Sequence, residues 1–245
     1  MPTLPEEHSA HVSIKPGFVW DECPAYLFDI DGTLLLSRDR THFHAFSESV
    51  ERVTGASISL EGVPLAGNTD RAILHEALKR SGHTEAFFEE HATEILRTMG
   101  VIAEEKRAAF DLEMLPGVAE TLAHLAAQGA ALGLATGNVE AIGWIKLERL
   151  GVRHRFSFGG FSDHFLDRNA MVGHAAELAR QRAGAGATVC VVGDTPRDIA
   201  AARANALPVI AVATGRYDYA TLLALEPEVC TTSLATLLAA TGAQA

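Results

Sequence analysis

The chain has 245 residues, of which 48% are hydrophobic, and a formal net charge of −11. That length holds one large domain or a core with an inserted second one, and that apolar content excludes a disordered protein. The acidic balance argues against a nucleic-acid binder, which needs a basic stripe to displace counterions, and no apolar run reaches the roughly 18 residues that span a bilayer.

Residues 1–21 contain Pro2, Pro5, Glu6, Glu7 and two histidines. They lack the basic start and apolar middle of a signal peptide, and read as a partly ordered leader. Ala25-Tyr26-Leu27-Phe28 then reads as a buried strand running into Asp29-Ile30-Asp31-Gly32-Thr33-Leu34. Side chains alternate across a strand, so Asp29 and Asp31 can share one face at its end. Two carboxylates that close repel unless a cation or a shared proton intervenes. The pattern therefore suggests a divalent metal, or one carboxyl held as an acid, the equipment of phosphoryl transfer. An isolated DxD is more often a turn or helix cap; here later segments answer it.

From His42 to about Leu112 the pattern is helical. Phe43, Phe46, Val50 and Val53 recur at helical spacing, as do Ile73, Leu74, Ala77 and Leu78, and Phe87, Phe88, Ile95 and Leu96. No strand is expected in this block. After Leu115-Pro116-Gly117 the rhythm changes. Helices are expected over Val118 to Gln128, Val139 to Leu150, Asn169 to Ala183, Ile199 to Ala204 and Leu234 to Ala240. Strands are expected at Ala131 to Ala135, Arg155 to Phe158, Thr188 to Val192 and Pro208 to Val212. Alternating strands and helices imply an α/β fold with a mostly parallel sheet, the helical block being an insertion after the first strand.

Ligands of such sheets bind at the carboxyl ends of the strands, and two further motifs fall there. Thr136-Gly137-Asn138 offers a hydroxyl and backbone N–H groups to a phosphate, although Thr and Asn also cap helices. Gly193-Asp194-Thr195-Pro196-Arg197-Asp198 supplies two carboxylates. Asp194 would complete an oxygen-rich magnesium site with Asp29, and Asp198 would ligate or orient a bound water. Cys23, Cys190 and Cys230 form no CxxC pair; so sparse a set fits a reducing compartment, and the expectation is cytoplasmic. The eleven histidines show no zinc-binding spacing.

The ordered motifs Asp29-Ile30-Asp31-Gly32-Thr33-Leu34, Thr136-Gly137-Asn138 and Gly193 to Asp198 resemble the haloacid dehalogenase-like hydrolase superfamily. The helical insert resembles the cap of its phosphoglycolate-phosphatase-like branch. The resemblance implies a Rossmann-like core over residues 22–36 and 114–245 and a cap over 37–113. It makes Asp29 the nucleophile that forms an aspartyl-phosphate and Asp31 the acid/base, with its backbone carbonyl on magnesium. Thr136 becomes the phosphate-binding hydroxyl and Asp194 a metal ligand. Phosphatases of this branch usually carry a lysine before the helix that precedes the Asp194 strand. Here Ser162 to Asn169 has none, and Arg168 is the candidate replacement, offering a planar fork where lysine offers a point charge. Thr69 and Arg71, in a loop entering a cap helix, are candidate substrate contacts.

The implied protein is a magnesium-dependent phosphatase of a small phosphorylated metabolite, phosphoglycolate or a sugar phosphate, with no nucleic-acid or membrane partner, as monomer or homodimer. A sugar-phosphate mutase and a catalytically weak binding protein are the alternatives. An acid at Asp31 needs an environment that raises its proton affinity.

Overall fold

The computed structural model describes residues 10–242. In chain order the elements are β1 (Val12–Ile14), β2 (Ala25–Phe28), β3 (Leu35–Ser37), α1 (Thr41–Thr54), α2 (Asp70–Arg80), α3 (Glu85–Glu105), β4 (Leu112–Met114), α4 (Val118–Ala127) and β5 (Ala131–Ala135). There follow α5 (Glu140–Leu150), β6 (Gly159–Gly160), α6 (Arg168–Ala183), β7 (Val189–Gly193), α7 (Pro196–Ala204), β8 (Val209–Val212), α8 (Tyr219–Leu223), β9 (Val229–Thr231) and α9 (Leu234–Thr241).

Seven strands form one sheet in the order β1-β9-β8-β7-β2-β5-β6. Every pair is parallel except β1 with β9. The central strands β2 and β7 are buried throughout, as sheets covered on both faces require, which is why they read as continuous apolar runs. One face packs Val118, Leu122 and Leu125 of α4 and Leu234, Leu237 and Leu238 of α9 against Tyr26, Phe28, Cys190 and Val192. The other packs Met171, Val172 and Ala175 of α6 and Ile199 of α7 against Leu27, Val191 and Val209. The expected α/β, Rossmann-like architecture is the one observed.

Between β3 and β4 the chain makes the three-helix block α1–α3, with its own apolar cluster of Phe46, Val50, Leu74, Leu78, Phe88, Ile95 and Met99. Val139, Ile142 and Ile145, at the start of α5 and just before it, join that cluster and seat the block over the sheet's carboxyl edge. Thr69 and Thr84 accept the N–H groups of Ala72 and Phe87, capping α2 and α3.

Three local expectations are corrected. Leu35–Ser37 and Leu112–Met114 pair as a two-stranded antiparallel ribbon at the two crossings into the block, where no strand was expected at Leu112. The strand expected at Arg155 to Phe158 lies at Gly159–Gly160, and Arg153–Arg155 is a 3-10 turn. Phe156 and Phe158 carried the apolar signal because both are core residues, whereas a glycine pair has no side-chain pattern to read. Within the stretch read as a leader, Val12–Ile14 is an edge strand on β9; residues 1–9 of it lie outside the described part.

Candidate active site

Strands β5, β2 and β7 lie side by side, with Phe28 level with Leu134 on one side and Val192 on the other. Their carboxyl ends therefore deliver Asp29, Thr136 and Asp194 to one place. The Asp29 N–H donates to Val192 O at 2.9 Å, which fixes where the strand stops. Just beyond it, Gly32 has φ +84°, and a Cβ there would lie 2.3 Å from Asp194 Oδ2. Only glycine combines that backbone with that approach. Thr33 Oγ1 then donates to Asp194 Oδ1 at 3.2 Å, tying the first loop to the β7 carboxylate.

Asp29, Asp194 and Asp198 are buried, and one oxygen of each lies within 4.8 Å of the others. Arg168, at the first position of α6, is the cation beside them. Its Nη2 is 3.3 Å from Asp29 Oδ2 and 2.5 Å from Asp198 Oδ1, and Nε donates to the same Asp198 oxygen at 3.1 Å. The other Asp198 oxygen accepts the Thr195 N–H and O–H at 3.0 and 2.7 Å, completing a capping box at the start of α7. Both Asp198 oxygens are thus hydrogen-bonded, and one of them holds Arg168 in place. One guanidinium does not balance three carboxylates. Burial raises Asp29 to about 6 against the pull of Arg168, with Asp198 and Asp31 adding repulsion. Burial, Asp198 and Asp29 raise Asp194 to about 8. Buried carboxylates left short of positive charge, with hard oxygen donors, fit a small divalent cation such as Mg2+.

Asp31 is different. Its side chain is 42% exposed toward the cavity, and it is paired with Lys146 of α5, whose Nζ lies 2.6 and 2.8 Å from its two oxygens. Asn138 Nδ2 donates to the same carboxylate at 2.8 Å. Burial pulls the Asp31 carboxyl upward, but the charges of Lys146 and His42 and the bonds from Lys146 and Asn138 outweigh it and hold it below the usual range. The expected rise in proton affinity is therefore not found; the attraction comes from a lysine the motif reading did not include. Asn138 likewise turns its amide to Asp31, Lys146 and Thr136 instead of presenting it to a ligand.

A cavity of about 470 Å³ opens between sheet edge and helical block, bordered by Asp29, Asp31, Thr136, Gly137, Arg168 and Asp194. The block contributes an apolar wall of Phe43, Phe46, Leu65 and Ile73. Thr69 and Arg71, expected at the substrate, do not border it. Thr69 Oγ1 donates to Leu166 O at 3.2 Å and Arg71 Nη1 to Asp163 O at 3.0 Å, so both fasten the block to the core. Asp70 between them donates its N–H to Gly137 O at 2.7 Å and accepts the Val139 N–H at 2.8 Å.

The family model of haloacid dehalogenase-like hydrolases matches residues 23–205. The chain belongs to the haloacid dehalogenase-like hydrolases. It is 30% identical to a phosphoglycolate phosphatase of Salmonella typhi over 88% of this chain and 91% of that protein. It is 33% identical to one of Mesorhizobium japonicum, where the match spans 42% of this chain and about half, 45%, of the relative. A predicted phosphoglycolate phosphatase from Haemophilus somnus 129pt superposes with a TM-score of 0.62 at 24% identity, over 89% of this chain and 98% of that one, a likeness of fold. The hydrolase thus falls in the phosphoglycolate-phosphatase-like branch. Among its described helices none is long and apolar enough to cross a membrane.

Two side chains of this hydrolase site, Lys146 and Asp70, escaped the motif reading. Lys146 sits at the same face as Ile142 and Ile145, and a charge on an apolar face was its available signal. His42 and Asp70, 3.0 Å apart, come from α1 and α2, and no local pattern joins them.

Proposed function

We propose that the protein is a magnesium-dependent phosphatase that hydrolyses a small phosphate monoester of the phosphoglycolate or sugar-phosphate class through an aspartyl-phosphate on Asp29. The observation that carries this reading is the buried Asp29 carboxylate facing both Arg168 and Asp194 at the floor of a cavity, with Asp31 anchored at its edge. The cavity volume lies at the small end of metabolite sites, roughly 300–1,000 Å³.

Asp29 and Asp194, with the Asp31 backbone carbonyl, would hold the cation, which supplies charge to offset repulsion between Asp29 and a phosphate dianion. Arg168 adds a fixed positive charge beside Asp29, and Thr136 with the Gly137 N–H would hold phosphoryl oxygens. One Asp29 oxygen attacks phosphorus as the bond to the ester oxygen breaks. Asp31 gives that oxygen its proton. In the second half Asp31 takes a proton from water, which attacks phosphorus and releases Asp29 and inorganic phosphate. A pair with Lys146 keeps Asp31 ionised in the empty site, ready for the second half. An arriving dianion raises its proton affinity, because a nearby like charge disfavours the carboxylate, so Asp31 takes up a proton from solvent before the first half.

We assign residues 22–36 and 114–245 to the catalytic core and 37–113 to a cap that excludes water and selects the ester. The apolar wall of Phe43, Phe46, Leu65 and Ile73 supports that assignment. The test is phosphate release from a panel of small phosphate esters, with magnesium and with EDTA, beside Asp29→Asn. Metal-dependent release that vanishes in Asp29→Asn is expected; release that survives in the variant would overturn the mechanism.

A further inference from the structure

Lys146 is 1% exposed, and burying an ammonium is costly unless its three N–H groups are all partnered. Nζ lies 2.6 Å from Asp31 Oδ2, 2.8 Å from Asp31 Oδ1, 2.7 Å from Asn138 Oδ1 and 3.2 Å from His42 Nδ1. An ammonium only donates, so His42 accepts at Nδ1 and carries its proton on Nε2. Nε2 then donates to Asp70 Oδ2 at 3.0 Å, and that oxygen also accepts the Val139 N–H at 2.8 Å. The chain of bonds leaves the core at Lys146, crosses the cap through His42 and Asp70, and returns to the core at Val139.

Asp31 itself has little packing to hold it, since its side chain is 42% exposed. A carboxylate so placed is held in its rotamer by its polar partners more than by packing. Lys146 and Asn138 grip it from the buried side and leave the cavity side clear. His42 stacks on Phe46 at 5.6 Å between ring centroids, so its place depends on the cap's own core.

Resting on the phosphatase reading, we propose that Lys146 is the positioning residue for Asp31, and that His42 and Asp70 brace it only while the cap is docked. Arg168 and Lys146 then have separate tasks. Arg168 serves the phosphoryl group and Asp29, and Lys146 serves the proton carrier. A residue that aims the acid matters most when the leaving group needs a proton.

The test compares kcat/KM for benzyl phosphate, an alkyl ester, with that for p-nitrophenyl phosphate, whose leaving group departs without one. For Lys146→Met the alkyl ester is expected to lose about 100-fold and the aryl ester only several-fold, within the range of general acid catalysis. His42→Phe, which keeps the stacking on Phe46, is expected to show the same selectivity at smaller size. In an Asp31→Asn background, Lys146→Met adds less than about two-fold, as expected for residues acting as one unit. Equal losses on both esters, or no loss, would overturn the proposal, and so would full loss from Lys146→Met on top of Asp31→Asn. A crystal structure of Lys146→Met is the arm that does not depend on turnover: the Asp31 carboxyl is expected to leave its place, and finding it unmoved would overturn the proposal. Absence of wild-type hydrolysis of any ester strikes the phosphatase reading alone, and the crystal structure still decides the position of Asp31.

Discussion

Arg168 Nη2 lies 3.3 Å from Asp29 Oδ2 and 2.5 Å from Asp198 Oδ1, so one guanidinium joins Asp29 to a residue locked into the α7 capping box. The fork geometry needs a planar cation, and Asp198 with no free oxygen keeps it from swinging away. Lysine there would reach one carboxylate well and the other poorly.

Arg168→Ala should therefore lower kcat/KM by about 10²–10³, the usual size for loss of a preorganised charge at a developing anion. It should also destabilise the fold by roughly 3–5 kcal/mol, because Asp198 is left buried without its partner. Arg168→Lys should recover part of both. Steady-state kinetics and urea unfolding check this; an Ala variant with wild-type kinetics would remove Arg168 from the site.

Gly137 is where the loop before α2 touches the turn after β5. A Cβ at Gly137 would lie 2.1 Å from Asn68 O, a backbone atom that cannot give way without moving the loop. Gly137→Ala should hold the cap off the core, lowering kcat/KM by at least about 10-fold, given that misplacement by 1 Å can cost about 10²-fold. The secondary structure should be retained by circular dichroism. An unchanged kcat/KM would mean that docking in this register is not needed.

Gly32 tests the opposite wall. An alanine there is strained by φ +84° and meets Asp194 Oδ2 at 2.3 Å. Gly32→Ala should weaken magnesium binding measured by calorimetry at least about 10-fold and leave little activity, because one carboxylate oxygen must leave its place. Magnesium affinity equal to wild type would place the ion elsewhere.

The carboxyls raised to about 6 at Asp29 and about 8 at Asp194 set a pH dependence. Both stand above the unfolded value of roughly 3.9. Between that value and about 8 the folded, metal-free protein binds more protons than the unfolded chain, so these groups make it less stable as pH rises through the window. A divalent cation competes with those protons. The rise in Tm on adding magnesium should grow from pH 5 to pH 8, read by thermal unfolding in magnesium and in EDTA. A magnesium effect independent of pH would argue that the ion does not sit on these carboxylates.

Most of the floor of the site was legible because it is local. Asp29, Thr136 and Asp194 each end an apolar run, and runs of that kind in an alternating chain make adjacent parallel strands. The edge strand Val12–Ile14 and the ribbon strand Leu35–Ser37 were not legible: each is three residues long, too short for an alternation to stand out. Nor was the second cation. Lys146 follows Ile142 and Ile145 in a helix that reads as ordinary, and its partners Asp31 and His42 are more than a hundred residues away. Arg71 misled because a loop entering a helix points equally well into a cavity or onto a neighbouring carbonyl, and only the docked cap decides for Asp163 O.

The claim that matters most is that Asp29 is phosphorylated in turnover. The direct measurement is mass spectrometry of protein quenched in acid while it hydrolyses a phosphate ester in magnesium, followed by peptide mapping. The account predicts one added phosphoryl group, carried by Asp29 and absent from Asp29→Asn and from samples in EDTA. Steady turnover with no phosphorylated aspartate, or with the phosphoryl group on another residue, would contradict it.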